Sequence, residues 1–138
     1  MALFLAYCAL MLWLLFDRPG YEPGIPYTEQ LRYNLIPFET ISRFLKVLIR
    51  GSSRGNETHA IINLVGNVIM FIPLGFCLPM IWEKQRKLWK VVLTTTLIIT
   101  LVEIIQLLTL VGSCDTDDLI LNVIGSAIGY GLYRMIRK

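Results

Sequence analysis

The chain has 138 residues, of which 55% are hydrophobic and only 17% charged. Its mean hydropathy is +0.61, whereas about 25% of the residues of a soluble domain carry charge. A net charge of +3 is too small to point to a nucleic-acid partner. The three cysteines, Cys8, Cys77 and Cys114, lie too far apart and are too few to form a disulfide framework. What remains is an all-α membrane protein: one domain over residues 1–138, a bundle of about four transmembrane helices plus an outer amphipathic helix.

The first predicted element is "MALFLAYCALMLWLLF", residues 1–16. It is short against the roughly 20 residues that cross a bilayer core. It has no charged start and no small-x-small cleavage site, so it reads as a retained span rather than a signal peptide. Prolines and glycines make "DRPGYEPGIPYTEQ", residues 17–30, a turn-rich stretch. An amphipathic helix follows over residues 38–50. Phe38, Ile41, Phe44, Leu45 and Leu48 give its apolar face, and Glu39, Arg43, Lys46 and Arg50 its polar one. Such a helix lies in the outer headgroup layer or packs over the mouth of the bundle. "GSSRGNE", residues 51–57, reads as a flexible link. The remaining spans are expected at 59–82, 91–111 and 118–134. Pro73, within "FIPLG", removes one backbone hydrogen bond from the second span and is expected to kink it.

Orientation follows from the basic residues. Lys84, Arg86, Lys87 and Lys90 lie between the second and third spans, and Arg134, Arg137 and Lys138 close the chain. The positive-inside rule puts both groups in the cytoplasm. The "GSCDTDD" loop and residues 17–58 then face outside.

Polar side chains at membrane depth are costly and mark candidate functional sites. His59, Asn63 and Asn67 recur every four residues on one stripe of the second span. Glu103 and Gln106 stand mid-helix in the third. Asp115, Asp117 and Asp118 open the fourth, with Asn122 one turn further and Gly125 and Gly129 on the same face. That small-xxx-small pair predicts close helix packing, so the polar face of the fourth helix points inward. At about 1.5 Å per residue, Glu103 and Asn67 lie roughly 12 Å and Asn122 roughly 6 Å inside the outer ends of their helices. Three helices thus supply polar groups at similar depth, which suggests one shared pocket open to the outer face. Capping of the fourth helix accounts for one of its three acids. Glu103 requires a proton, water or a cationic partner, with His59, Arg32, Arg43, Arg50 and Arg54 as candidates.

Four motifs carry a resemblance: "NLIPFETI" (34–41), "NLVGNVIMFIPLGFCLP" (63–79), "EIIQ" (103–106) and "DTDDLILNVIGSAIGY" (115–130). In order and spacing they resemble the VanZ-like family of small bacterial membrane proteins. The resemblance implies a link to resistance against the glycopeptide antibiotic teicoplanin. One departure stands out: "GSC", residues 112–114, occupies a place where many relatives carry an arginine.

Two classes of function fit these residues. In the first, a membrane enzyme acts on an envelope lipid or lipid-linked precursor. Glu103, Asp118 and Asp115 are then the catalytic acids, or the ligands of a divalent cation such as Mg²⁺ or Mn²⁺, since hard cations select oxygen. His59, Asn63, Asn67, Gln106, Asp117 and Asn122 would bind the headgroup, and Arg43 and Arg50 would neutralise phosphate. In the second, the same groups bind a lipid, the antibiotic or another envelope protein without chemistry. A small transporter subunit is a further alternative.

Overall fold

The computed structural model describes residues 2–16, 33–50, 54–111 and 114–137, except the side chains of 47, 48, 50, 54–61 and 63. The turn-rich stretch at 17–30, Arg32, and the side chains of His59, Asn63, Arg50 and Arg54 lie outside that description. Among the described residues, five α-helices carry the fold: α1 (Ala2–Phe16), α2 (Glu39–Arg50), α3 (Arg54–Ile81), α4 (Leu88–Thr109) and α5 (Thr116–Ile136). Three of them contain stretches long and apolar enough to cross a membrane, over Leu64–Ile81, Leu88–Thr109 and Thr116–Ile136. The chain is an all-α membrane protein. With 15 residues, α1 reaches about 22 Å at 1.5 Å per residue, short of a hydrocarbon core of about 30 Å.

The link expected at 51–57 is shorter than its composition suggests. Helix α3 already begins at Arg54, ten residues before the apolar window at Leu64. Once nucleated, a helix adds residues at little cost, so it extends past the point where hydropathy falls. Pro73 and Pro79 both lie inside α3, and the helix continues through them.

Helices α3 and α5 form the main seam. A Cβ on Gly125 would overlap the Val68 carbonyl, and one on Gly129 the Ile72 carbonyl. From the other side, a Cβ on Gly75 would run into the Ser126 backbone. Rising numbers on α5 meet rising numbers on α3, so the two helices run in the same direction. Hydrocarbon tails are as apolar as leucine, and membrane helices therefore associate through close van der Waals contact rather than hydrophobic burial. Glycines at every fourth residue make that approach possible. The apolar core beside this seam is built on Phe71, Leu74, Val91, Ile99 and Tyr130. Much of the outer surface is leucine and isoleucine, such as Ile69, Leu97, Leu101 and Leu108, as expected where the solvent is lipid.

One element had no counterpart in the sequence reading. Residues Tyr33–Asn34 (β1) and Cys114–Asp115 (β2) form a short parallel pair, with Tyr33 opposite Cys114 and Asn34 opposite Asp115. Two residues carry no periodicity. The pair nevertheless fixes the start of "NLIPFETI" beside the start of α5.

Candidate functional site

The acids at the start of α5 serve first as helix caps. Asp115 is the N-cap of α5: its Oδ1 accepts from the Asp117 N–H at 2.9 Å. Its Oδ2 accepts from the Thr40 hydroxyl at 2.6 Å, and Thr40 Oγ1 in turn accepts from the Asn34 amide at 2.9 Å. The Asp115 N–H donates to Glu103 Oε2 at 3.1 Å. Glu103 is thereby tied to the turn that follows its own helix.

Asp117 works across the fold. Phe38 stands just before helix α2, and its carbonyl accepts the first helical bond, from the Ser42 N–H at 2.9 Å. A phenylalanine side chain cannot accept the free N–H groups that every helix start leaves. Asp117 does this instead, taking the Phe38 N–H on Oδ1 and the Ile41 N–H on Oδ2 at 2.9 Å. Phe38 turns through the left-handed region, at φ 65°. Asp117 is fully buried, and each of its oxygens is spent on backbone at the start of α2.

Asp118 faces the other way and accepts from the Asn67 amide on α3. Asn122 follows one turn later, 2% exposed, and its Oδ1 is buried with no hydrogen-bond partner. It stands between Asp118 and Gly125, both of which touch α3. Unpartnered buried acceptors are uncommon and each calls for an account.

Several expectations change here. Three carboxylates were candidates for a shared cation, one of two roles open to them; among the described residues no three or more His, Cys, Asp or Glu side chains form a group that could hold a metal ion. The reason is geometric: Asp115 is committed to the α5 cap and Thr40, while Asp118 turns to α3. Gln106 was expected at the headgroup. It donates instead to the Leu15 carbonyl at 2.7 Å, one of the last four carbonyls of α1, which a helix end leaves unpaired. Arg43 pairs with Glu39 at 3.1 Å on the exposed side of α2, four residues away on the same helix. Capping of α5 accounts for one aspartate, Asp115, while Asp117 caps α2 instead. Conversely, Asn34 and Thr40 belong to the acid network without having been singled out. The signal was present, since both lie in the "NLIPFETI" stretch, but a hydroxyl and an amide outside the apolar runs are ordinary surface residues by type.

Cys114 sits at the edge of this network. Burial pushes its thiol above the ordinary range, and the carboxylates of Glu103 and Asp115 add to the rise.

The four motifs therefore meet in space: "NLIPFETI" is capped by the "DTDD" run, which is tied to the "EIIQ" glutamate and to the α3 asparagine. A model of the family described as VanZ/LLP1 matches residues 4–137. The chain belongs to that family. It is also similar to Protein VanZ of Enterococcus faecium, with 27% identity over 133 residues, covering 96% of this chain and 71% of that protein. No solved structure matches it.

Proposed function

We propose that this VanZ/LLP1 family member is a binding protein of the cell envelope. At the acid end of its bundle, facing the outer leaflet, it holds the donor-bearing headgroup of a membrane lipid or lipid-linked envelope precursor. In doing so it contributes to the teicoplanin resistance that the family resemblance implies. The orientation rests on the basic residues of the Lys84–Lys90 turn and the C-terminus, read as cytoplasmic.

Asn122 is the observation that carries this reading. Its Oδ1 is buried without a partner, and leaving such an acceptor unmade costs about 1–3 kcal/mol. A ligand ammonium, hydroxyl or amide would remove that cost. Asp118 stands one turn above on the same face and adds negative charge. Binding is preferred to catalysis because Asp115 and Asp117, two of the four acids, already spend their oxygens on backbone and hydroxyl donors.

The test uses Asn122→Leu, which is close in volume and removes the unpartnered oxygen. The protein should become more heat-stable in detergent while its protection of a sensitive bacterium against teicoplanin falls to the level of the empty vector. Full protection by Asn122→Leu at equal membrane abundance would sink the proposal.

A further inference from the structure

A groove of about 930 Å³ runs along α1 at the end of the bundle opposite the acid network. That is near the top of the range of small-molecule pockets, about 300–1,000 Å³. Its walls are apolar and come from three helices, with Phe4 and Met11 from α1, Leu74 and Leu78 from α3, and Ile98 from α4. Leu74 and Leu78 belong to the membrane-crossing stretch of α3, and Ile98 to that of α4. An apolar cavity at this depth does not fill with water. Hydrocarbon chains are the material around it.

The mouth of the groove is different. It is formed by Trp82, Glu83, Lys84 and Gln85, in the turn between α3 and α4. Glu83 is paired with Arg86. Lys84 has no ion-pair partner among the described residues, so one positive charge stands at the rim uncompensated. Gln85 donates through Nε2 to Thr94 Oγ1 at 2.8 Å, while its Oε1 is buried without a partner. The rim therefore offers one cation and one unsatisfied acceptor above an apolar slot. This is the complement of a phospholipid whose headgroup has both a phosphate and an N–H or O–H donor, as phosphatidylethanolamine and phosphatidylglycerol do. Phosphatidylcholine has the phosphate but no such donor.

We propose that this groove is a specific site for one donor-bearing phospholipid, from the leaflet that meets the Trp82–Lys90 turn. An acyl chain fills the slot between α1, α3 and α4. The phosphate lies at Lys84, and the headgroup donor pairs with Gln85 Oε1. The site is independent of the acid network at the other end.

Trp82 lines the mouth and reports on occupancy. The full chain carrying Trp13→Phe and Trp89→Phe, with Trp82 as its one tryptophan, is placed in phosphatidylcholine bilayers. It is then titrated with phosphatidylethanolamine, phosphatidylglycerol or phosphatidylcholine bearing brominated chains, which quench tryptophan on contact. The donor-bearing lipids should quench with an apparent affinity about tenfold higher than phosphatidylcholine, the ratio expected for one added hydrogen bond. Lys84→Gln, an exposed position, should lower the apparent affinity for phosphatidylglycerol most, since it alone of the three lipids carries a net negative charge. Gln85→Leu, with helicity verified by circular dichroism, should remove the preference over phosphatidylcholine. Equal quenching by all three lipids would mean ordinary boundary lipid and would overturn the proposal. So would absence of quenching, the result expected if a second copy of the chain covered the groove. A preference that survives both substitutions would overturn the assignment of the rim.

Discussion

Helix α3 has two neighbours in the bundle that are held in opposite ways. On the α5 side, three glycines bring backbone against backbone, so near that no Cβ fits. On the α1 side, cavities of about 930 and 330 Å³ run along the contact. There the Tyr7 hydroxyl donates to the Met70 carbonyl at 2.7 Å, and α1 is tied separately to α4, where Gln106 donates to the Leu15 carbonyl. Tyr7 reaches α3 one residue from Ile69, the carbonyl that Pro73 leaves without its helical donor. In a bilayer neither contact gains from excluding water, so a helix pair is held either by dense packing or by polar groups that lipid cannot satisfy. The first way gives a rigid seam, and the second leaves room beside the helix for lipid.

The largest expected effect tests the glycine seam. Gly129→Leu must force α5 off the Ile72 carbonyl, and its cost should reach or exceed the upper end of the ~1–3 kcal/mol typical of overpacking. Thermal melting in detergent should show a lower midpoint and reduced yield. Gly66→Ala and Gly131→Ala supply the contrast, because a Cβ at either position meets nothing within 4 Å. Both should be neutral or stabilising by up to ~1 kcal/mol, from helix propensity alone. If the Gly129 substitution were as mild as these two, the seam would not be what holds α5.

Asp117→Ala comes next. It strands two backbone N–H groups at the start of α2, each worth about 1–3 kcal/mol when left unpaired. Hydrogen exchange over residues 38–46 should accelerate while α3 and α5 remain protected. Asp117→Asn keeps one acceptor oxygen and should fall between the two. Unchanged exchange in Asp117→Ala would show that α2 is held by its apolar face alone.

A smaller effect is expected on the loose side. Tyr7→Phe removes one interhelical hydrogen bond, a change of about 0.6 kcal/mol in a membrane protein. Its melting midpoint should move little, and a large drop would contradict the idea that α1 is only lightly attached.

The smallest test concerns Cys114, whose thiol is raised by burial and then by Glu103 and Asp115. A raised thiol has less thiolate at a given pH, so alkylation should be slow at pH 8 and quicken only at higher pH. Removing one negative neighbour in Glu103→Gln lowers the thiol pKa, so alkylation at pH 8 should become faster. An unchanged rate would place Glu103 away from the thiol. An impermeant maleimide on Ser113→Cys, in a chain lacking the other cysteines, reports which side of the membrane this end faces, and labelling only from the cytoplasm would reverse the proposed orientation.

The sequence by itself determined the class, the three long apolar helices and the inward face of α5. Apolar runs and a four-residue glycine spacing are local patterns, and a helix reads them out without help from distant residues. It also marked most of the polar positions that matter, since an acid or amide within an apolar run stands out by type alone. What each of those side chains bonds to was decided only by the tertiary structure. Asp117 caps a helix by binding the N–H of Phe38, 79 residues away, and Gln106 binds a carbonyl near a helix end, 91 residues away. No spacing rule predicts which free N–H or carbonyl will come within reach. In lipid every helix end must find a partner inside the protein, so side chains that suggest chemistry in the sequence are taken up by the backbone in the fold. Asn122 and Gln85 are exceptions among the described residues: each keeps a buried oxygen open, and that was visible only once everything around it had been placed.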